Sequence, residues 1–148
     1  MKHDVFVDTV AWLALINKSE ILHAAARQVR DSLMQQKARL FTSDYVIVEV
    51  ANALARIPFR SAAVRLVDFI RSSGTVDVLL ITPSVFEEAW DFYKARTDKD
   101  WSLTDCTSFV VMKSRGIETR FYCRQAFRTG RLYRLDKSQV SHYDSAHE

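Results

Sequence analysis

Residues 2–16 read KHDVFVDTVAWLALI. An aspartate, Asp8, stands inside an apolar run from Val5 to Ile16. Burying an unpaired carboxylate costs several kcal/mol, roughly the whole stability of a small domain. Either the run turns at Asp8 and releases it, or a positive group meets it there. DVFV has the β-branched and aromatic character of a short buried strand, and AWLALIN that of a short helix. On that division the strand ends at Val7, and Asp8 falls at its carboxyl end.

The same alternation continues. Helical spacing is expected in EILHAAARQVRDSLMQQ (Leu22, Ala25, Val29, Leu33), in DYVIVEVANALARI up to a stop at Pro58, and in RSAAVRLVDFIRSSG (Ala63, Leu66, Val67, Ile70), closed by Gly74. It is expected again in PSVFEEAWDFYKAR, with an apolar stripe of Phe86, Ala89, Trp90 and Tyr93, and in SLTDCTSFVVMKSRG, ended by Gly116. RLFTS, VDVLLI, ETRFYC and LYRL read as strands, with RQAFRTG a helical turn before the last. Strands alternating with helices indicate an α/β fold on a mostly parallel sheet of roughly five strands. The expected organisation is one domain over residues 1–136 and a polar tail over 137–148. In such sheets ligands sit outside the carboxyl ends of the strands, so Asp8 is expected to face a crevice.

The chain has 148 residues, 48% of them hydrophobic, which is enough for a packed core and excludes a disordered chain. The formal net charge of +3 decides little, but its distribution is uneven. Lys113 to Lys137 holds eight basic and two acidic residues, so that stretch is +6 and the remainder −3. A positive end suits a phosphate polymer, and equally suits a solvated helix face. Two cysteines, Cys106 and Cys123, without a Cys-x-x-Cys pair argue against structural zinc and read as reduced thiols. MKHDVF lacks a signal-peptide core, and no apolar run reaches the ~18 residues of a membrane span, so a cytoplasmic protein is the expectation.

Two further acids sit in apolar surroundings. Glu49 interrupts YVIVEVANAL, where Glu49, Asn52 and Arg56 would share one helical stripe. Asp105 stands in WSLTDCTSFVVM, in the first turn of a helix, where the dipole favours an anion. Each acid has an ordinary structural reading: Asp8 as a helix cap, Glu49 as a partner of Arg56, Asp105 as half of a Ser102-x-x-Asp105 capping box. Three semi-buried carboxylates at one sheet edge also make a cation site, because together they stay ionised only around positive charge. Hard oxygen ligands select Mg²⁺ or Mn²⁺, and such a site suits phosphoryl chemistry.

VFVDTVAWLALI, DYVIVEVANAL and DKDWSLTDCTSFVVMKSRGI resemble the first three acidic motifs of PIN-domain ribonucleases, most closely the VapC-type toxins of toxin–antitoxin pairs. The likeness runs from about Asp4 to Leu135, and WSLTDC is its most specific segment. It implies a three-layer α/β/α sandwich, a Mg²⁺- or Mn²⁺-dependent endoribonuclease hydrolysing RNA through a metal-activated water, a homodimer and a small antitoxin partner. It places metal and catalytic roles on Asp8, Glu49 and Asp105, with Thr9 and Thr104 assisting by hydrogen bonds. The basic end would track RNA, with Arg56, Arg124 and Arg128 as the expected contacts.

One departure stands out. Members of that family usually carry a fourth acid after the next strand, and here the matching segment, FYCRQAF, puts Arg124 or Cys123 in its place. Arg124 is then a candidate counter-cation in place of a second metal, or a grip on a substrate phosphate, and equally a solvent-facing arginine. The alternative that follows is a degenerate PIN domain that binds RNA or a protein partner without cutting. Other phosphate-handling α/β folds fit less well. A haloacid-dehalogenase-like phosphatase needs an aspartate where Val10 stands, and phosphate-binding glycine loops need glycines that do not occur before Gly74.

Overall fold

The computed structural model describes residues 3–18 and 23–121. Four strands, β1 (Asp4–Val7), β2 (Arg39–Ser43), β3 (Val76–Leu79) and β4 (Thr119–Phe121), form one sheet in the order β3-β2-β1-β4. All three pairings are parallel. Helices flank the sheet: α1 (Thr9–Ile16) and α2 (His23–Gln35) join β1 to β2, and α3 (Asp44–Ala53) and α4 (Ile57–Ser72) join β2 to β3. The chain then passes through α5 (Pro83–Ala95) and α6 (Leu103–Arg115) before β4. The expected α/β sandwich on a parallel sheet is therefore present. LYRL, RQAFRTG and the 137–148 tail lie outside the described residues.

The topology positions the site. From β1 the chain winds outward through β2 to β3, then returns to lay β4 on the other side of β1. The winding reverses between β1 and β4, and in open parallel sheets a crevice forms at the carboxyl ends where this happens. Asp8 follows β1 directly, and its backbone N–H donates to the Phe121 carbonyl of β4 at 3.0 Å.

The strands are short and apolar because both faces are covered. Val5, Phe6 and Val7 are all buried, as are Phe41 of β2, Leu79 of β3 and Phe121 of β4. They join Trp12, Val46, Val50, Leu66, Ile70 and Val111 in the main core. Trp12 is pinned as well as packed. Its Nε1–H donates to Thr42 Oγ1 at 3.2 Å, and that hydroxyl donates to the Val7 carbonyl at 3.0 Å. A second cluster of Ala89, Phe92, Cys106 and Val110, edged by Trp101 and Phe109, fastens α5 to α6.

Several sequence expectations are corrected in detail. Pro58 does not stop a long helix. The chain leaves the helix after Ala53, and Pro58 sits in the first turn of α4, where its missing N–H costs nothing. Arg56 is consequently the cap residue of α4 and not part of a stripe with Glu49. The buried face of α5 is Ala89 and Phe92, whereas Trp90 and Tyr93 stack on each other outside, centroids 5.7 Å apart and 39% and 42% exposed. Ala26, next to the expected Ala25, is the buried alanine of α2. Gly116 ends α6 in the left-handed conformation (φ 65°), as expected of a glycine there. Gly74 follows α4 without a positive φ, so its role there is not that of a left-handed cap.

Candidate active site

Asp8, Glu49 and Asp105 come from three distant parts of the chain and meet at the β1–β4 edge. Asp8 caps α1: its Oδ1 accepts from the Thr9 N–H at 2.8 Å. Asp105 forms the expected capping box on α6, its Oδ2 accepting from the Ser102 N–H at 3.0 Å while Ser102 Oγ accepts from the Asp105 N–H at 3.0 Å. Glu49, half-buried on α3, accepts from the Thr9 hydroxyl at 3.0 Å. Thr9 thus bonds two of the acids, Asp8 through its N–H and Glu49 through its hydroxyl, and Thr104 stands beside Asp105 in the first turn of α6.

The structural and functional readings of these acids are not exclusive. A capping carboxylate uses one oxygen on the helix start and has one left. The second oxygen of Asp8 and the second oxygen of Asp105 both take the guanidinium of Arg120. Nη2 of Arg120 bonds Asp8 Oδ2, and it bonds Asp105 Oδ1 at 2.5 Å. Arg120 is 6% exposed, and its guanidinium also lies over the Phe109 ring, 4.9 Å from the centroid. This answers the question that Asp8 poses: the carboxylate ends a strand, and a buried arginine meets it.

Sequence reasoning counted Arg120 among the basic residues that would track RNA. It overlooked the signal in ETRF, an arginine within a strand of a two-sided parallel sheet. Such an arginine has no solvent face and must find carboxylates. Among the described residues, a counter-cation to Asp8 and Asp105 is Arg120. Arg124 and Arg128 lie outside the described residues. Arg56 is exposed, and among the described residues no ion pair joins it to Glu49.

The electrostatics follow from burial and proximity. Burial pushes the Asp8 carboxyl above its ordinary value; Arg120 opposes that shift and Asp105 adds to it. Burial likewise raises Glu49, against the Thr9 hydrogen bond and with the repulsion of Asp8 and Asp105. Arg120 is held protonated: burial disfavours its charge, but the two aspartates outweigh burial. Burial also moves the Cys106 thiol up to about 11, which makes it an inert core residue.

The donor set matches one hard divalent cation in type and charge. Three carboxylates and one guanidinium leave two negative charges, the charge that one such ion neutralises. The arrangement is centred otherwise, because Arg120 stands between two of the acids. Among the described residues no group of three acidic, histidine or cysteine side chains is already disposed to hold an ion.

Ser102→Ala tests the cap that orients Asp105. Losing its side-chain acceptor is expected to cost about 1 kcal/mol, read as a lower urea midpoint at unchanged slope.

The PIN-domain sequence pattern matches residues 5–121. The 23S rRNA-specific endonuclease VapC20 of Mycobacterium tuberculosis, in strains CDC 1551 / Oshkosh and ATCC 25618 / H37Rv, is 32% identical over 117 residues, 79% of this chain and 86% of the relative. The crystal structure of M. tuberculosis VapC20, described as a Sarcin-Ricin loop cleaving toxin, superposes with a TM-score of 0.73 at 30% identity, over 87% of this chain and 96% of the other. The strand order, the acids at the sheet edge and these matches agree: the chain belongs to the PIN domain family.

Proposed function

We propose that this chain is an endoribonuclease of the VapC type, with Asp8, Glu49 and Asp105 surrounding the phosphodiester to be cut. The observation that carries the reading is the convergence of these three carboxylates, 41 and 56 residues apart in sequence, at the carboxyl edge of a parallel sheet. Mg²⁺ or Mn²⁺ is the cofactor that suits them, held by Asp8, Glu49 and Asp105. When bound, it would lower the pKa of a water and stabilise the charge that develops on phosphate. The protein's own contribution is orientation. Two helix starts fix Asp8 and Asp105, and the Thr9 hydroxyl fixes Glu49. Exposed Arg56, at the start of α4, is a candidate contact for the RNA backbone. Likeness to a toxin supports the further reading of a cytoplasmic toxin that acts as a homodimer and is neutralised by a small antitoxin protein.

The test is cleavage of purified ribosomal RNA with Mg²⁺ or Mn²⁺, comparing the parent chain with Glu49→Gln. Glutamine keeps the size and the Thr9 acceptor but removes the charge, and cleavage is expected to fall at least tenfold. Equal rates would remove Glu49 from the site.

A second reading has its own observation. The buried Arg120 neutralises part of the acidic site, and the family's fourth acid is replaced, which favours a PIN domain that binds RNA or a protein partner without cutting. It is distinguished by salt-sensitive RNA binding with no metal-dependent product.

A further inference from the structure

We propose that Arg120 is a built-in counter-cation that holds the acidic site together, and that a divalent ion binds there only by competing with its guanidinium for Asp8 and Asp105. The inference rests on the reading that these acids form the working site, and concerns how that site is regulated.

Three observations carry it. First, each aspartate has one oxygen engaged by a helix start, Asp8 by Thr9 N–H and Asp105 by Ser102 N–H. The oxygens that remain are those Arg120 holds. An ion placed between the two acids would need the same oxygens, so ion and guanidinium draw on one pair of ligands. Second, Arg120 is anchored from behind. Its strand pairs with β1 residue by residue, Val5 with Thr119, Phe6 with Arg120 and Val7 with Phe121. The Phe109 ring covers its guanidinium. A side chain held at both ends, by its strand and by its head group, is part of the folded arrangement and not a surface arginine that has swung in. Third, the charge balance changes with occupancy. With Arg120 in place the acids carry two uncompensated charges, few enough for the fold to tolerate; without it they carry three within one small site, and demand for a divalent ion rises.

The consequence is a site that is stable without metal and takes metal weakly. Removing the guanidinium should do what is unusual for loss of a buried ion-pair partner: weaken the metal-free fold while strengthening ion binding.

The experiment is titration of the full chain with Mn²⁺, free Mn²⁺ being read by electron paramagnetic resonance. The parent chain is compared with Arg120→Met, which keeps much of the side-chain volume without charge, and with Arg120→Lys, which keeps the charge without the planar fork. Arg120→Met is expected to bind Mn²⁺ at least tenfold more tightly than the parent, with Arg120→Lys between them. Without metal, Arg120→Met is expected to melt below the parent, and saturating Mn²⁺ to raise its melting temperature more than the parent's. Equal or weaker binding by Arg120→Met overturns the proposal, as does no Mn²⁺ binding by any of the three. Should Arg120→Met fail to fold even with Mn²⁺, the parent chain alone decides. Its Arg120 Nε–H resonance is followed in ¹⁵N-labelled protein during Mg²⁺ addition. Displacement of that resonance is expected, and an unchanged resonance throughout the titration overturns the proposal. The RNA assay is independent of these readouts: tighter Mn²⁺ binding without RNA cleavage in any variant removes the nuclease reading and leaves the competition standing.

Discussion

Asp8→Asn is expected to reduce RNA cleavage by at least about a hundredfold while the chain still folds. Asparagine is nearly isosteric and among the best helix caps, so its side-chain oxygen can still accept from the Thr9 N–H and α1 keeps its start. What disappears is the negative charge that faces Arg120 at the end of β1. Among the described residues that charge is one of three carboxylate charges at the proposed cation site, and a neutral amide is a far poorer ligand for a hard ion. The stability effect is smaller than complete loss of a buried partner, about 3–5 kcal/mol, because Asp105 still faces the guanidinium. Because burial disfavours the charge that asparagine removes, part of that loss is returned, and a decrease of at most about 2 kcal/mol in urea unfolding is expected. A gel assay with ribosomal RNA and a urea titration of the same preparation separate the two effects. Cleavage at the parent rate would take Asp8 out of the reaction altogether.

The largest stability effect is expected from Phe6→Ala. Phe6 has no exposed surface and sits in β1, one of the two inner strands of the described sheet, between β2 and β4. It pairs in register with Phe41 on one side and with Arg120 on the other. Truncation removes a large apolar side chain where both sheet faces are covered, and leaves a cavity that the rigid strand cannot collapse. A loss of about 3–5 kcal/mol is expected, a large share of the 5–15 kcal/mol that is typical of a whole domain. Thermal unfolding should show a melting temperature lower by roughly 10 °C. A shift of only one or two degrees would mean that β1 is not the centre of the core.

Much of this was readable in the chain. DVFV followed by an aspartate announces a buried strand that ends at a carboxylate. Ser102-x-x-Asp105 announces a helix start, and Gly116 a helix end. These are local signals, carried by side-chain type and backbone geometry over a few neighbouring residues. Where local signals competed, sequence reasoning went astray. Pro58 suits a helix start as well as a helix stop, and which it becomes depends on the turn after Ala53. The stripe of α5 was misread because Val85, Phe86, Ala89, Trp90, Phe92 and Tyr93 leave two overlapping apolar faces, and packing against α6 selected the one through Ala89 and Phe92.

By itself, the sequence determined the alternation of strands and helices and the places of Asp8 and Asp105 at element ends and of Glu49 within a helix, because periodicity and capping are short-range. Only the tertiary structure decided what answers those acids. Arg120 lies 112 residues from Asp8, and its partner is chosen by the crossover that sets β4 beside β1. A charge in a solvent-free strand must pair with whatever the topology brings within reach, and no local pattern in the chain records that choice.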